Sequence, residues 1–127
     1  MRIEHVALWT SRLEVLEEFY SRFFGARTES SYRSTTRPCE SRFLAFPSGA
    51  RLELMRLPEL GPAAGTAPRV GLSHLAFSVG SRAEVDRLIA VLRHAGVAVE
   101  GAPRTTGDGY YESVILDPDG NRVEIVA

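Results

Sequence analysis

Internal repetition limits the fold of this chain more than any other feature of its sequence. At an offset of 69 residues, IEHVALWTSRLEV around His5 aligns with LSHLAFSVGSRAEV around His74, apart from one inserted residue before Ser81. At an offset of 71 residues, FLAFPSGARLELM aligns with VILDPDGNRVEIV and pairs Glu53 with Glu124. Because the two copies match at both ends, we expect a fold in which one structural unit occurs twice.

The repeat divides the chain of 127 residues into two modules and a linker. Module 1 covers about residues 1–57 and module 2 about residues 72–127. The segment between them, 58–71, is rich in Pro, Gly and Ala and has no hydrophobic period, which is typical of a linker. We expect the modules to form a single domain over 1–127, because a chain of this size buries enough surface to fold without disulfides.

Alternating polarity predicts that each module begins with a β-strand. Residues 3–9 and 72–79 alternate and are rich in Val, Leu, Phe and Trp, as expected for half-buried strands. Later in each module, alternating segments are interrupted by PSG in one copy and DPDG in the other, which are typical of hairpin turns. With one helix after the first strand, each module is predicted to have the order β-α-β-β-β, and the fold class is α+β.

Each module also carries the signals of one helix. Two segments match the capping-box pattern that starts a helix, namely Ser11 with Glu14 and Ser81 with Glu84. Apolar residues then follow at helical spacing: Leu13, Leu16, Tyr20 and Phe23 in module 1, and Val85, Leu88 and Leu92 in module 2. A glycine in the left-handed conformation is expected at each helix end, at Gly25 and Gly96.

Composition excludes several classes of function. With 15 basic and 16 acidic residues and a net charge of −1, the chain lacks the clustered positive charge that nucleic-acid binding requires. The longest apolar run, LIAVL, is too short for a membrane span or a signal peptide. The single cysteine, Cys39, permits no intramolecular disulfide and fits a reducing compartment. We therefore expect a cytoplasmic protein with no nucleic-acid or membrane partner.

Two His and two Glu lie in apolar strands at equivalent positions of the repeat: His5, Glu53, His74 and Glu124. One such residue alone is most often a satisfied hydrogen-bonding group in a strand. The duplication changes this expectation, since pseudo-symmetry can bring the four side chains together. Two imidazoles and two carboxylates form a mixed nitrogen and oxygen site suited to Ni, Zn, Co, Mn or Fe(II).

Three segments resemble the vicinal-oxygen-chelate (VOC) superfamily, and within it the small single-chain glyoxalase I (lactoylglutathione lyase) type. IEHVALWTSRLEVLEEFYSRFFGA is similar to the family's opening strand and helix, GLSHLAFSV to its second metal-binding strand, and DPDGNRVEIV to its closing hairpin. The resemblance covers essentially the whole chain. It implies two βαβββ modules that form a concave mixed sheet, and a homodimer whose sites combine ligands from both chains.

The resemblance implies that one divalent metal is held by four residues, His5, Glu53, His74 and Glu124. It also implies proton transfer through a metal-bound enediolate on a small substrate with vicinal oxygens, with Glu124 as the base and Glu53 as its counterpart. Bacterial glyoxalase I has an arginine where this chain has Trp9, and an asparagine where it has Leu57. We therefore expect a lyase or isomerase that does not depend strictly on glutathione.

Four residues are candidates for contact with the substrate: Trp9, Met55, Tyr110 and Tyr111. Trp9 and Met55 share strand faces with His5 and Glu53, because residues two apart in a strand point to the same side. Trp9 either stacks on a planar group of the substrate or packs within the protein. The two tyrosines follow the Gly-rich segment RTTGDG, and either offers a hydroxyl to the substrate or is buried in a hairpin.

Two other functions remain open from the sequence. An Fe(II) extradiol-type dioxygenase of the same superfamily uses two His and one Glu, and would tolerate the loss of Glu53. A metal-free dimer of the bleomycin-resistance type would bind and sequester a drug in the same cleft. The presence of Glu53 favours the isomerase over the dioxygenase. The presence of all four ligand-type residues counts against the sequestering dimer, because a binding cleft has no need of carboxylates in apolar strands.

Overall fold

The computed structural model describes residues 1–36, 38–61, 67–68 and 70–127. The chain divides into two compact units, unit 1 over Met1–Pro62 and unit 2 over Ala63–Ala127. Of the predicted linker, residues 62–66 and 69 lie outside the described residues. Within the described part of the chain, no helix has the length and apolar character needed to cross a bilayer.

Both units have the predicted order β-α-β-β-β, which confirms the α+β class. Unit 1 consists of β1 (His5–Trp9), α1 (Leu13–Phe24), β2 (Arg27–Arg33), β3 (Glu40–Ala45) and β4 (Arg51–Arg56). Unit 2 consists of β5 (Leu75–Ser78), α2 (Arg82–His94), β6 (Val99–Thr105), β7 (Tyr111–Leu116) and β8 (Arg122–Val126). The strand predicted over 72–79 is shorter in the structure, and His74 directly precedes it.

Each unit contains one four-stranded mixed sheet, with order β1-β4-β3-β2 in unit 1 and β5-β8-β7-β6 in unit 2. The first strand of a unit pairs in parallel with its last strand, while the other pairs are antiparallel. The register places Ala7 beside Glu53 in unit 1 and Ala76 beside Glu124 in unit 2. Because of this parallel pairing, the first and last strands of each unit lie side by side although they are far apart in sequence.

One face of each sheet is covered by the helix of the same unit. The buried apolar residues of α1 are Leu13, Leu16, Phe19 and Tyr20, and those of α2 are Val85, Leu88, Ile89 and Leu92. They pack against buried residues on the helix-facing side of the strands: Leu44, Leu52 and Leu54 in unit 1, and Ile115, Val123 and Ile125 in unit 2. Phe23, which was expected in the core, is only half-buried.

The two helices begin differently. Ser81 caps α2 as predicted, because its hydroxyl accepts from the backbone N–H of Glu84 at 3.2 Å. The prediction for Ser11 is wrong, since Arg12 is the N-cap of α1 and its N–H donates to the buried Thr10 hydroxyl at 2.9 Å. The predicted left-handed glycines are present, with φ of 67° at Gly25 and 80° at Gly96.

Candidate functional site

The face of each sheet opposite its helix carries the polar residues singled out by the repeat. On β1, His5, Ala7 and Trp9 are exposed while the residues between them are half-buried. On β4, Glu53 and Met55 alternate with buried leucines that pack against the helix. The alternation expected from a strand period of two is therefore found in both elements.

In unit 1, His5 and Glu53 lie side by side on this face. The parallel register sets His5 opposite Arg51, so Glu53 is its diagonal neighbour on the next strand. The His5 Nε2 atom lies 3.8 Å from a Glu53 Oε atom. The Glu53 side chain is 13% exposed and the His5 side chain 40% exposed. The carboxylate is therefore mostly covered, while the imidazole is open to solvent.

In unit 2, His74 and Glu124 form the same pair. The His74 Nε2 atom lies 3.4 Å from a Glu124 Oε atom, and the two side chains have nearly the same exposure as their counterparts in unit 1. Burial raises the pKa of the Glu124 carboxyl, a hydrogen bond with Glu112 raises it further, and charge on His74 acts in the opposite direction.

The Nε2 to Oε distances of the two pairs can be compared with the separation of two ligand atoms on one metal ion. Two ligand atoms about 2.1 Å from the same Zn²⁺, at a tetrahedral angle, are about 3.4 Å apart. The distance in unit 2 equals this separation, and the distance in unit 1 is 0.4 Å longer. Among residues 1–36, 38–61, 67–68 and 70–127, no group of three or more His, Cys, Asp or Glu side chains is arranged to hold a metal.

A cluster of charged and aromatic side chains surrounds His5. Glu4 accepts from His5 Nδ1 at 2.5 Å and also pairs with Arg51. Arg51 reaches Glu29 at 3.4 Å, and its guanidinium lies 4.5 Å from the centre of the Phe43 ring. Phe43 in turn contacts the His5 ring edge-on at 5.3 Å. The hydrogen bond to His5 and the pair with Arg51 lower the pKa of Glu4.

The surroundings of the unit 2 pair are different. His74 Nδ1 lies 3.3 Å from the Ser73 hydroxyl, so no carboxylate takes the place that Glu4 has in unit 1 among the contacts described for this ring. Glu124 instead has an acidic neighbour, Glu112, which is 9% exposed and lies 3.3 Å from Arg104.

Two of the four residues predicted to contact substrate are brought together, since Trp9 pairs directly with Met55 in the register of β1 and β4. Trp9 is 54% exposed on the His5 face, and Met55 is half-buried on the Glu53 face. Tyr110 is exposed in the turn that joins β6 to β7. Tyr111 lies on the helix side of its sheet, where its hydroxyl donates to Asp86 at 2.7 Å. The role of Tyr111 as a substrate contact stays a prediction, and in the structure its hydroxyl donates to a carboxylate of α2.

Sequence reasoning missed the acidic neighbours Glu4 and Glu112 and the cation Arg104. The position of Glu112 beside Glu124 follows from strand alternation and register. Glu112 lies two residues before Val114, so the two share a face of β7, and Val114 pairs directly with Glu124. Arg104 pairs with Glu112 across β6 and β7 and so follows from the same register. Glu4 lies within the alternating segment 3–9 and is adjacent to His5, and because alternation assigns adjacent residues to opposite faces, the period of two did not indicate their contact.

Comparisons with known proteins give one consistent picture. The family model described as Glyoxalase/Bleomycin resistance protein/Dioxygenase superfamily matches residues 2–125. The uncharacterized protein YqjT of Bacillus subtilis (strain 168) is 30% identical over 131 residues, which cover 98% of each chain.

Solved structures share the fold along nearly the whole chain. The glyoxalase family protein from Enterococcus faecalis has a TM-score of 0.83 at 24% identity, over 99% of this chain and 97% of that one. Lactoylglutathione lyase from Agrobacterium tumefaciens has a TM-score of 0.69 at 26% identity, over 98% of this chain and 91% of that one.

Proposed function

Because the chain belongs to the Glyoxalase/Bleomycin resistance protein/Dioxygenase superfamily, we propose that it is a metal-dependent lyase or isomerase that transfers a proton on a small substrate with vicinal oxygens. The observation that carries the proposal is the duplicated His–Glu pair, with Nε2 to Oε distances of 3.8 Å and 3.4 Å at equivalent positions of the sequence repeat. Lactoylglutathione lyase from Agrobacterium tumefaciens, a structural relative, is named for a reaction of this class.

The residues proposed to hold one divalent ion are His5, Glu53, His74 and Glu124. Each pair supplies one neutral nitrogen and one anionic oxygen, so two pairs neutralise a divalent ion and suit Ni, Zn, Co, Mn or Fe(II). When bound, such an ion supplies Lewis acidity toward the substrate's oxygens. A catalytic site requires at least three protein ligands, which is why both pairs are included.

Glu124 is the proposed base. It removes a proton from the carbon next to the substrate carbonyl, and the electron pair of the broken C–H bond moves toward the carbonyl oxygen. The proton then adds to the former carbonyl carbon, while the hydroxyl of the first carbon transfers its proton to the other oxygen and becomes a carbonyl, so the product is an isomer of the substrate. Its raised pKa supports this role, because a carboxyl group that retains a proton more readily both accepts and returns one near neutral pH.

Glu53 is proposed as the counterpart of Glu124, holding charge on the opposite side of the reacting carbons. Its partial burial and its place beside His5 support this role. The open face around it carries Trp9 and Met55, which offer apolar contact to a substrate. We also propose a homodimer in the cytoplasm, as the family resemblance implies, and sedimentation at micromolar concentration should give a species of two chains.

Glu53→Gln tests the proposed function. We expect turnover or metal occupancy to fall by roughly 10²-fold while circular dichroism shows an intact fold, because Gln keeps the shape but loses the charge. Activity is measured on hemithioacetals, α-hydroxyketones and catechols. Glu84→Gln is the matched control, since this exposed helix carboxylate pairs with Arg87 at 2.8 Å and should leave activity unchanged.

The variants also separate the alternatives. Catechol cleavage that survives Glu53→Gln but is abolished by Glu124→Gln would identify a dioxygenase. Ligand binding that neither substitution affects, without metal or turnover, would identify a sequestering protein. A folded Glu53→Gln protein with undiminished metal occupancy and isomerase activity contradicts the four-ligand assignment.

A further inference from the structure

We propose that Glu4 is a positioning residue that fixes the tautomer and orientation of His5, so that Nε2 faces Glu53. The proposal rests on the proposed function only in taking His5 as a metal ligand. Its geometric basis is the 2.5 Å contact between a Glu4 carboxylate oxygen and His5 Nδ1, together with the outward placement of Nε2 at 3.8 Å from Glu53.

The contact determines which ring nitrogen carries the proton. A neutral imidazole has one N–H donor and one acceptor nitrogen, while an ionised carboxylate only accepts. Glu4 therefore requires the proton on His5 Nδ1, which leaves a lone pair on Nε2. A metal-ligating histidine needs this arrangement, because the second ring nitrogen donates to an outer carboxylate that orients the ring.

Glu4 is itself held by a second set of contacts. Arg51 binds its carboxylate, reaches Glu29 and lies over the Phe43 ring. The edge of Phe43 contacts His5 from another side. The imidazole is thus constrained by a hydrogen bond and by a ring contact, and Arg51 connects the two supports.

Unit 2 provides an internal contrast. Ser73, the residue before His74, presents a hydroxyl to Nδ1 at 3.3 Å. A hydroxyl both donates and accepts, so it does not fix the tautomer of His74. The counterpart of Arg51, Arg122, pairs with Glu100, whose carboxylate lies 3.0 Å from its Nη2 atom. An outer carboxylate on the histidine is therefore a property of unit 1.

The first test measures the tautomer directly in metal-free protein. Nitrogen NMR of the histidine rings at pH 8.5 should show the proton of His5 on Nδ1 in the wild type. In Glu4→Ala, we expect the proton to move largely to Nε2, which free imidazole side chains prefer. Unchanged His74 signals in the same spectra show that the fold persists. A His5 ring that keeps its wild-type tautomer in Glu4→Ala overturns the proposal.

The second test measures affinity for Zn²⁺ and Ni²⁺ by competition with a chelator. We expect Glu4→Ala to weaken binding by about 10-fold or more, as loss of an outer-shell partner does in other metal sites. Glu4→Gln, whose amide oxygen still accepts from Nδ1, should retain part of this affinity. Ser73→Ala is the matched control and should change affinity by less than about 3-fold.

The two tests separate this proposal from the proposed function. If the wild type binds no metal, the proposed function fails, and the NMR measurement still decides whether Glu4 fixes the ring. If the wild type binds metal and Glu4→Ala shifts the tautomer without weakening binding, the positioning role is overturned while the ligand assignment stands.

Discussion

Units 1 and 2 share the same order of strands and helix and each contains a His–Glu pair. The acidic neighbour of the pair contacts the histidine in unit 1 and the glutamate in unit 2. In unit 1 the acidic neighbour Glu4 contacts the histidine, His5. In unit 2 the acidic neighbour Glu112 contacts the glutamate, Glu124, and the histidine has only a serine hydroxyl at Nδ1 among the contacts described. Duplication has thus kept the pair and changed what surrounds it.

This difference assigns unequal chemistry to the two pairs. Of the two neutral tautomers of His5, a carboxylate at Nδ1 favours the one with its lone pair on Nε2, which is the form that binds metal. Burial and a second carboxyl beside Glu124 raise its pKa, which favours proton transfer near neutral pH. Under the proposed function, we therefore expect the histidine of unit 1 to contribute mainly to metal binding and the glutamate of unit 2 mainly to proton transfer.

The largest expected effect comes from comparing the two glutamates. Glu124→Gln should lower turnover by about 10³-fold or more, since general-base catalysis contributes up to about 10⁴-fold. The loss should exceed that in Glu53→Gln, because Glu124 has the environment of a base. Steady-state kinetics on the best substrate of the panel measure both. Equal losses, or a larger one in Glu53→Gln, break the proposed division between the units.

A smaller effect is expected where the helices begin. Ser81→Ala removes the hydroxyl that accepts from the Glu84 N–H and should lower the free energy of unfolding by about 1 kcal/mol. Ser11→Ala should change it by less than about 0.5 kcal/mol, because Thr10 accepts from the N–H of Arg12 at this helix. Urea unfolding measures both variants, and equal destabilisation would contradict the difference in capping.

The smallest expected effect is on the pH dependence of stability in metal-free protein. Because the folded-state pKa of Glu124 is raised, the folded state binds this proton more tightly than the unfolded state does. Stability is therefore lost as pH rises from the unfolded value near 4.3 through the folded value. Glu124→Gln removes this loss, so its Tm should exceed that of the wild type at pH 7.

At about pH 3 the two proteins should have nearly the same Tm, because the carboxyl is then mostly protonated in both states of the wild type. A scanning calorimeter gives both comparisons. A Glu124→Gln protein that melts below the wild type at pH 7 shows that the net environment of this carboxylate is stabilising, contrary to the account.

The sequence predicted most of the fold because two independent periods agree in both copies of the repeat. Period-two alternation located the strands, and helical spacing located the helices, whose ends Gly25 and Gly96 have the expected positive φ. The period-two alternation also predicted that His5 and Glu53 lie on the same face of the sheet, and the parallel register of β1 and β4 makes them neighbours there. The role of these residues as metal ligands stays a prediction.

Other features depend on tertiary contacts that no local pattern encodes. Ser11 and Glu14 match a capping box in sequence. In the structure the Glu14 carboxylate forms ion pairs with Arg42 and Arg56 on the sheet, and Ser11 is not the N-cap. Tyr111 and Glu112 are adjacent and therefore point to opposite faces of the sheet. A shift of one residue in the predicted register would exchange which of them faces the helix. Glu4 is joined to Arg51 across 47 residues, a contact that depends on the pairing of β1 with β4.

Metal stoichiometry tests the central claim, that the His–Glu pairs of both units form one site, more directly than any other measurement. Protein purified without chelators, or refilled with Ni, Co, Mn or Zn, should bind about one divalent ion per chain. His5→Ala and His74→Ala should each abolish tight binding, because each removes one of the four proposed ligands. The absence of a tight site, or one ion per chain retained in either variant, would contradict the claim.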